Sequence, residues 1–185
     1  KNKNPKNVLE IGTANGFSTI WIADALSSGK IVTIERSAPT FRESIQNFSD
    51  AGVEKSITSI YGDAKLILKN WNIDGSLKQI DSLDEVPKGP QYIEGDGLVY
   101  ASDTTATHSK SFDLVFIDAQ KVSYINFWNL VQPLLTDNPL IIVDDVLKFS
   151  DKTESFTQLM ESQTDWSYKI HKTDSDDGVM VCWKK

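Results

Sequence analysis

Apolar residues recur along the chain in two rhythms. Short apolar-rich runs at residues 8–11, 31–34, 57–61, 112–117 and 140–143 have the length and character of buried strands. Between them, apolar side chains return every three or four residues. Phe17, Ile20, Trp21 and Ala25 mark a first helix, and Phe41, Ile45 and Phe48 a second that Pro39 opens and Gly52 stops. Leu66 and Leu68 give a short third helix, Tyr124, Phe127, Trp128 and Val131 a fourth, and Phe156, Leu159 and Met160 a fifth over residues 152–163. Trp128 reads as a core residue. Two closing strands, 166–171 and 179–183, flank the acidic turn 173–178. Strand and helix in strict alternation, then two final strands, predict an α/β domain with a mostly parallel seven-stranded sheet and helices on both faces.

The rhythm fails between about residues 71 and 111. This stretch holds Gly75, Pro87, Gly89, Pro90, Gly95 and Gly97, and only 92–93 and 98–100 offer a small hairpin. So long an irregular segment inside one domain is expected to be functional, as a lid, an oligomer contact or a family-specific decoration. The whole chain, 1–185, reads as a single domain with this insert. His108 within it and His171 in the last hairpin are expected to be exposed or packed, not ligands.

Composition changes the picture only modestly. A formal net charge of −7 argues against a broad phosphate-binding surface, so nucleic acid is not indicated. The single cysteine, Cys182, lies in an apolar run and is expected to be a buried thiol. No apolar run approaches the length of a membrane span, and the polar start is no signal peptide, so a cytoplasmic protein is expected. The opening at Lys1, without Met and close to the first strand, suggests a trimmed or incompletely recorded N-terminus.

The chemistry concentrates where strands hand over to helices. Glu10-Ile11-Gly12-Thr13-Ala14-Asn15-Gly16-Phe17-Ser18 is a strand end, an acid and a glycine-punctuated turn opening a helix. Such a turn lets backbone approach a ligand and points free N–H groups at it. A dinucleotide fingerprint would need glycine where Ala14 and Phe17 stand, which disfavours a nicotinamide cofactor. Glu35 ends the second strand 19 residues after Gly16, the place from which an acid accepts hydrogen bonds from ribose hydroxyls. Asp63 ends the third strand, as an acceptor for a base amino group, a helix N-cap, or both. Asp118, Asp144 and Asp145 end two further strands and can converge. Three oxygen donors there suit a hard divalent cation, Mg2+ or a relative, and Lys121, one turn beyond Asp118, could take a proton from a hydroxyl.

These residues, with Phe112 to Lys121, Leu140 to Val146 and the terminal Asp177-Gly178, resemble the cation-dependent O-methyltransferases, the group of catechol and caffeoyl-CoA O-methyltransferases and their bacterial relatives. The resemblance covers about three quarters of the chain. It implies a Rossmann-like methyltransferase fold with an antiparallel last strand, and S-adenosylmethionine as cofactor. On this reading Glu10, Gly12, Thr13, Gly16, Ser18, Glu35, Arg36, Asp63, Ala64 and Asp118 form the cofactor site. Asp118, Asp144 and Asp145 would hold the metal, and Lys121 would be the catalytic base. Three departures stand out. Asp145 occupies a place where the family usually has Asn, and Met180 stands where catechol-specific members carry a Glu. The family's N-terminal helices are not found in this chain, which leaves two expectations: that the insert replaces them, or that the enzyme is incomplete as given.

The expected activity is methyl transfer to a hydroxyl of a small, aromatic or catechol-like acceptor. Two alternatives stay open: a hydroxyuridine in tRNA as acceptor, which the acidic balance disfavours, and a cofactor-binding domain without catalysis. Relatives in this group are often dimers, so a homodimer is also open, while no membrane association is expected.

Overall fold

In the computed structural model, which describes residues 4–71, 78–79, 82–86, 100–101, 111–174 and 176–185, the apolar runs become the centre of one sheet. The strands are β1 (Asn7–Ile11), β2 (Lys30–Glu35), β3 (Ile57–Tyr61), β4 (Lys78–Gln79), β5 (Tyr100–Ala101), β6 (Phe112–Ile117), β7 (Leu135–Val143), β8 (Trp166–Lys172) and β9 (Gly178–Lys184). Their order across the sheet is β4-β5-β3-β2-β1-β6-β7-β9-β8. The seven long strands are the seven expected. The segments β3, β2, β1, β6 and β7 run parallel, and β9 is antiparallel to both β7 and β8. Two-residue strands from the insert extend the β3 edge, β5 pairing antiparallel to it. Of the expected hairpin at 92–100, all but Tyr100 lies outside the described residues.

Among the described residues five α-helices connect the strands: α1 (Phe17–Ala25), α2 (Ala38–Ala51), α3 (Ala64–Lys69), α4 (Tyr124–Val131) and α5 (Ser150–Ser162). The larger core lies beneath α3, α4 and α5. Trp128 sits at its centre, 3% exposed, with its ring centroid 4.7 Å from Trp166 and 5.9 Å from Phe156. Edge-to-face packing of this kind adds to the burial of large apolar side chains. Cys182 is fully buried in the same core, and burial pushes its thiol up to about 12. Two smaller clusters, around Val8, Ala23 and Ile31 and around Ala38, Phe41 and Tyr61, seat α1 and α2.

Helix α1 departs from the usual rule that its apolar stripe turns inward. Its buried residues are Thr19 and Ala23, whereas Phe17 and Trp21 are 69% and 63% exposed. Among the described residues no helix is long and apolar enough to cross a membrane.

Strand order reverses at β1, whose neighbours are β2 on one side and β6 on the other. In an open parallel sheet such a reversal leaves a crevice beyond the carboxyl ends of the two central strands. Hydrogen bonds from Gly12 N to Ile34 O, Asp118 N to Ile11 O and Asp144 N to Ile117 O hold four strand ends level there.

Candidate functional site

The turn after β1 is shaped by residues with left-handed backbone. Gly12 has φ 99°, Ala14 φ 48° and Gly16 φ 88°. A Cβ on Gly12 would stand 2.0 Å from the carbonyl oxygen of Asp118, so only glycine lets β1 and β6 approach this closely. Ala14 pays for its φ through a hydrogen bond, its N–H donating to Glu35 Oε2 at 2.8 Å.

Glu10 supports this turn from below. It is fully buried and does not line either cavity described below. Ser18 Oγ donates to its Oε1 at 2.6 Å, Thr33 Oγ1 to its Oε2 at 2.6 Å, and Thr19 Oγ1 also to Oε2. Because the single proton of Thr33 points at Glu10, the 2.5 Å contact between Thr13 and Thr33 hydroxyls has Thr13 as donor. Burial raises the pKa of Glu10, the three hydroxyls oppose that shift, and the Asp118 charge adds to it. Glu10, expected in the cofactor set, therefore reaches the turn through Ser18, Thr19 and Thr33, not by facing the crevice.

The crevice holds two adjoining cavities. The first, about 120 Å³, is lined by Gly12, Glu35, Arg36, Asp63, Ala64 and Asp118, with Ala14 among others, so six of the ten expected cofactor residues meet there. Glu35 spends both oxygens on backbone, accepting from Ala14 N and from Ser37 N at 2.7 Å. Asp63 is an N-cap, accepting from Lys65 N at 2.8 Å, and also faces the cavity, so its two expected roles are compatible. The second cavity, about 700 Å³, is bounded by Thr13, Ser18, Asp118 and Asp144 on its polar side and by Phe17, Trp21, Leu26, Leu114, Phe116 and Ile142 on its apolar side. Gly12, Ala14 and Asp118 belong to both cavities. Gly16 lies behind the turn as the N-cap of α1, against the Phe48 ring.

Asp118, Asp144, Asp145 and Lys121 gather beside the second cavity. Lys121 Nζ lies 2.9 Å from Asp118 Oδ1 and 2.6 Å from Asp145 Oδ2. Asp144 Oδ1 accepts from Asp145 N at 2.9 Å, while Tyr124 donates its hydroxyl to Asp144 O at 2.9 Å. Among the described residues no three His, Cys, Asp or Glu side chains form a metal cage as they stand. The expected trio is thus not closed around one point, because Asp118 and Asp145 converge on an ammonium that offers each a charge-assisted hydrogen bond.

Burial alone would lower the pKa of Lys121, but its hydrogen bonds to Asp145 and Asp118 outweigh this and raise it. In this arrangement it is a proton holder. Asp144 is raised by burial and by the neighbouring Asp118 and Asp145 charges, against the Asp145 N–H and the Lys121 charge. Asp145 is raised by burial, with Lys121 opposing and Asp177 and Asp118 adding. Burial also raises the Tyr124 hydroxyl.

Sequence reasoning gave no role to Asp177, and the structure does. It is 5% exposed, and its Oδ1 accepts from Gly178 N at 2.7 Å, Lys148 N at 3.1 Å and Leu147 N at 3.3 Å. Burial would raise its carboxyl, but hydrogen bonding with Asp145 and these N–H groups brings it down to about 2. Asp177 so ties the loop carrying Asp144 and Asp145 to the start of β9. Asp145 itself has φ 56°, a left-handed conformation that Asp tolerates better than most residues.

The chain is similar to several known proteins. The chain is 30% identical over 145 residues to a catechol O-methyltransferase of Niastella koreensis, covering 77% of this chain and 50% of that one. It is 29% identical over 144 residues to a catechol O-methyltransferase of Mycobacterium tuberculosis, covering 77% and 49%. The chain spans about half the length of the curated relatives it matches. Among solved structures, the O-methyltransferase TomG of Streptomyces achromogenes in complex with SAM superposes with a TM-score of 0.74 at 21% identity, over 98% of this chain and 74% of that one. An O-methyltransferase of Bacillus cereus in complex with SAH gives 0.71 at 23% identity, over 98% and 75%. These likenesses show the Rossmann-like fold. A family model described as a methyltransferase domain matches residues 9–146, from β1 through the acid cluster, and the chain belongs to that family.

Proposed function

We propose that this chain forms the catalytic core of an S-adenosylmethionine-dependent O-methyltransferase that acts on a hydroxyl of a small aromatic acceptor with the help of a divalent cation. The observation that carries the reading is the sharing of Gly12, Ala14 and Asp118 between the two cavities. A cofactor seated over the glycine turn would present its transferable methyl at the boundary between them. Glu35, Asp63 and Ala64 then face the nucleoside end. The apolar wall of Trp21, Leu114, Phe116 and Ile142 offers an aromatic ring a dry surface, with Asp118 and Asp144 at its polar end.

The donor set suits a hard divalent cation. Three carboxylates and one ammonium carry a formal excess of two negative charges, and every donor atom is oxygen. Asp118, Asp144 and Asp145 would hold the ion, which when bound would supply Lewis-acid polarisation of an acceptor hydroxyl. Lys121 has the position from which to receive that proton once its partners are otherwise engaged. Positioning of this kind can supply roughly 7–11 kcal/mol of barrier lowering.

Calorimetric titration with S-adenosylmethionine and S-adenosylhomocysteine, with and without Mg2+ and with NAD as control, tests the reading alongside methyl transfer to catechol. Micromolar binding of the methyl cofactors with Mg2+-dependent turnover supports it. Binding without turnover on any hydroxylated acceptor, tRNA included, would favour a non-catalytic cofactor-binding domain, and binding of NAD alone would overturn it.

A further inference from the structure

Phe149 stands at the entrance to α5 and gathers three cations around its ring. The Nζ atoms of Lys152, Lys121 and Lys148 lie 5.4, 5.6 and 5.6 Å from its centroid, all within cation–π reach. In a chain of net charge −7, three ammonium groups around one ring run against the overall field. Lys121 has Asp118 and Asp145 as counter-charges. Lys148 and Lys152 have none: among the described residues neither lies within ion-pair distance of a carboxylate, the adjacent Asp151 included. Like charges held together without an anion repel one another, and an incoming anion would relieve that repulsion.

Phe149, Lys121 and Lys152 border a cavity of about 340 Å³ that Ala119, Gln120 and Val122 also line, and Lys148 stands beside it on the Phe149 ring. Ala119 and Gln120 also line the smaller crevice cavity, and Lys121 is shared with the acid cluster. A small molecule whose hydroxyl reaches Asp118 and Lys121 has two directions open to it, along the apolar wall of the second cavity or over Phe149, and a negatively charged far end would select the second, toward Lys148 and Lys152. We propose that the methyl acceptor carries an anionic group, a carboxylate or a phosphate, which Lys148 and Lys152 hold at the rim formed by Phe149. This rests on the O-methyl transfer reading above and adds the acceptor's charge to it.

Matched acceptors test the proposal on the full chain: 3,4-dihydroxybenzoate against its methyl ester, and 3,4-dihydroxybenzyl phosphate against the corresponding alcohol. Affinities for the protein loaded with S-adenosylhomocysteine and Mg2+ are measured by calorimetry, with turnover followed in parallel. At low salt each anion should bind about tenfold more tightly than its neutral partner, the size expected of two exposed charge pairs acting together. The advantage should fall as NaCl is added. It should shrink to about one in Lys148→Gln/Lys152→Gln and persist in Lys148→Arg/Lys152→Arg. The anion with the larger advantage identifies the group the rim accepts. Equal affinity for charged and neutral partners in the wild type, or an unchanged ratio in the Gln double variant, overturns the proposal. Turnover of any of the four compounds decides the O-methyl transfer reading separately, so the two failures are distinguishable.

Discussion

Removing the Glu10 carboxylate probes the support beneath the glycine turn most directly. In Glu10→Ala three hydroxyls lose their common acceptor, and two of them, on Thr19 and Thr33, are fully buried. An orphaned buried hydroxyl costs about 1–3 kcal/mol, so the pair sets a range of about 2–6 kcal/mol. Thr33 keeps one recourse, turning its proton to Thr13 Oγ1 at 2.5 Å, which favours the lower part of that range. The void adds a cavity cost, and a loss of about 3–5 kcal/mol is a large share of a domain's usual 5–15 kcal/mol.

Glu10→Gln separates charge from shape. It keeps the volume, retains one carbonyl acceptor, and lets the hydroxyls turn to accept from its amide. It also removes a carboxylate whose folded pKa is raised above 4.5, chiefly by burial. Between 4.5 and that raised value the native state binds a proton that the unfolded chain lacks. Stability from this group is therefore fully present below 4.5 and is lost as pH rises through the folded value. Urea denaturation of the wild type and both variants, followed by tryptophan fluorescence from pH 7 down to 4.5, reads both effects. The wild type should gain on Glu10→Gln as pH falls. An Ala variant within about 1 kcal/mol of wild type, or a flat wild-type-minus-Gln difference across that range, would refute the idea of a buried carboxylate holding the turn together.

Gly12→Ala sets a side chain at φ 99° against the Asp118 carbonyl, and the φ cost of about 1–2 kcal/mol plus about 1–3 kcal/mol of overpacking should lower the melting temperature well beyond Gly52→Ala, where the added Cβ meets open space. Lys121→Met keeps the stem but removes the ammonium; methyl transfer should fall by about 10²–10⁴ while S-adenosylhomocysteine still binds, and full activity would rule out a proton-transfer role. Asp177→Asn should weaken Mn2+ binding, followed by electron paramagnetic resonance, because the loop carrying Asp144 and Asp145 loses its anionic anchor. Since the Asp177 pKa is lowered from 3.8 to about 2, its contribution to stability is present above 3.8 and lost as pH falls toward 2; the wild type's advantage over Asp177→Asn should vanish at the acid end.

The seven long strands, the central parallel sheet and most of the crevice were legible because they are written in local signals. Apolar runs gave strands, three- and four-residue spacing gave helices, and glycines and acids at strand ends marked the crevice. What could not be read depends on contacts between distant segments. Glu10 is an acid at a strand end like Glu35, yet its neighbours in space, Thr19 and Thr33, turn it inward while Glu35 meets the cavity. The spacing of Asp118 and Lys121 is one helical turn, but that Asp145 would close on the same ammonium follows from the packing of β6 beside β7. Phe17 and Trp21 had the spacing of an inward stripe, and the side of α1 that faces the sheet is instead the one carrying Thr19 and Ala23. That inversion is itself informative. A helix that exposes two aromatic side chains beside a cavity edged by Leu114, Phe116 and Ile142 gives up burial that would have stabilised the fold, and this apolar wall is where the aromatic acceptor proposed above would recover it.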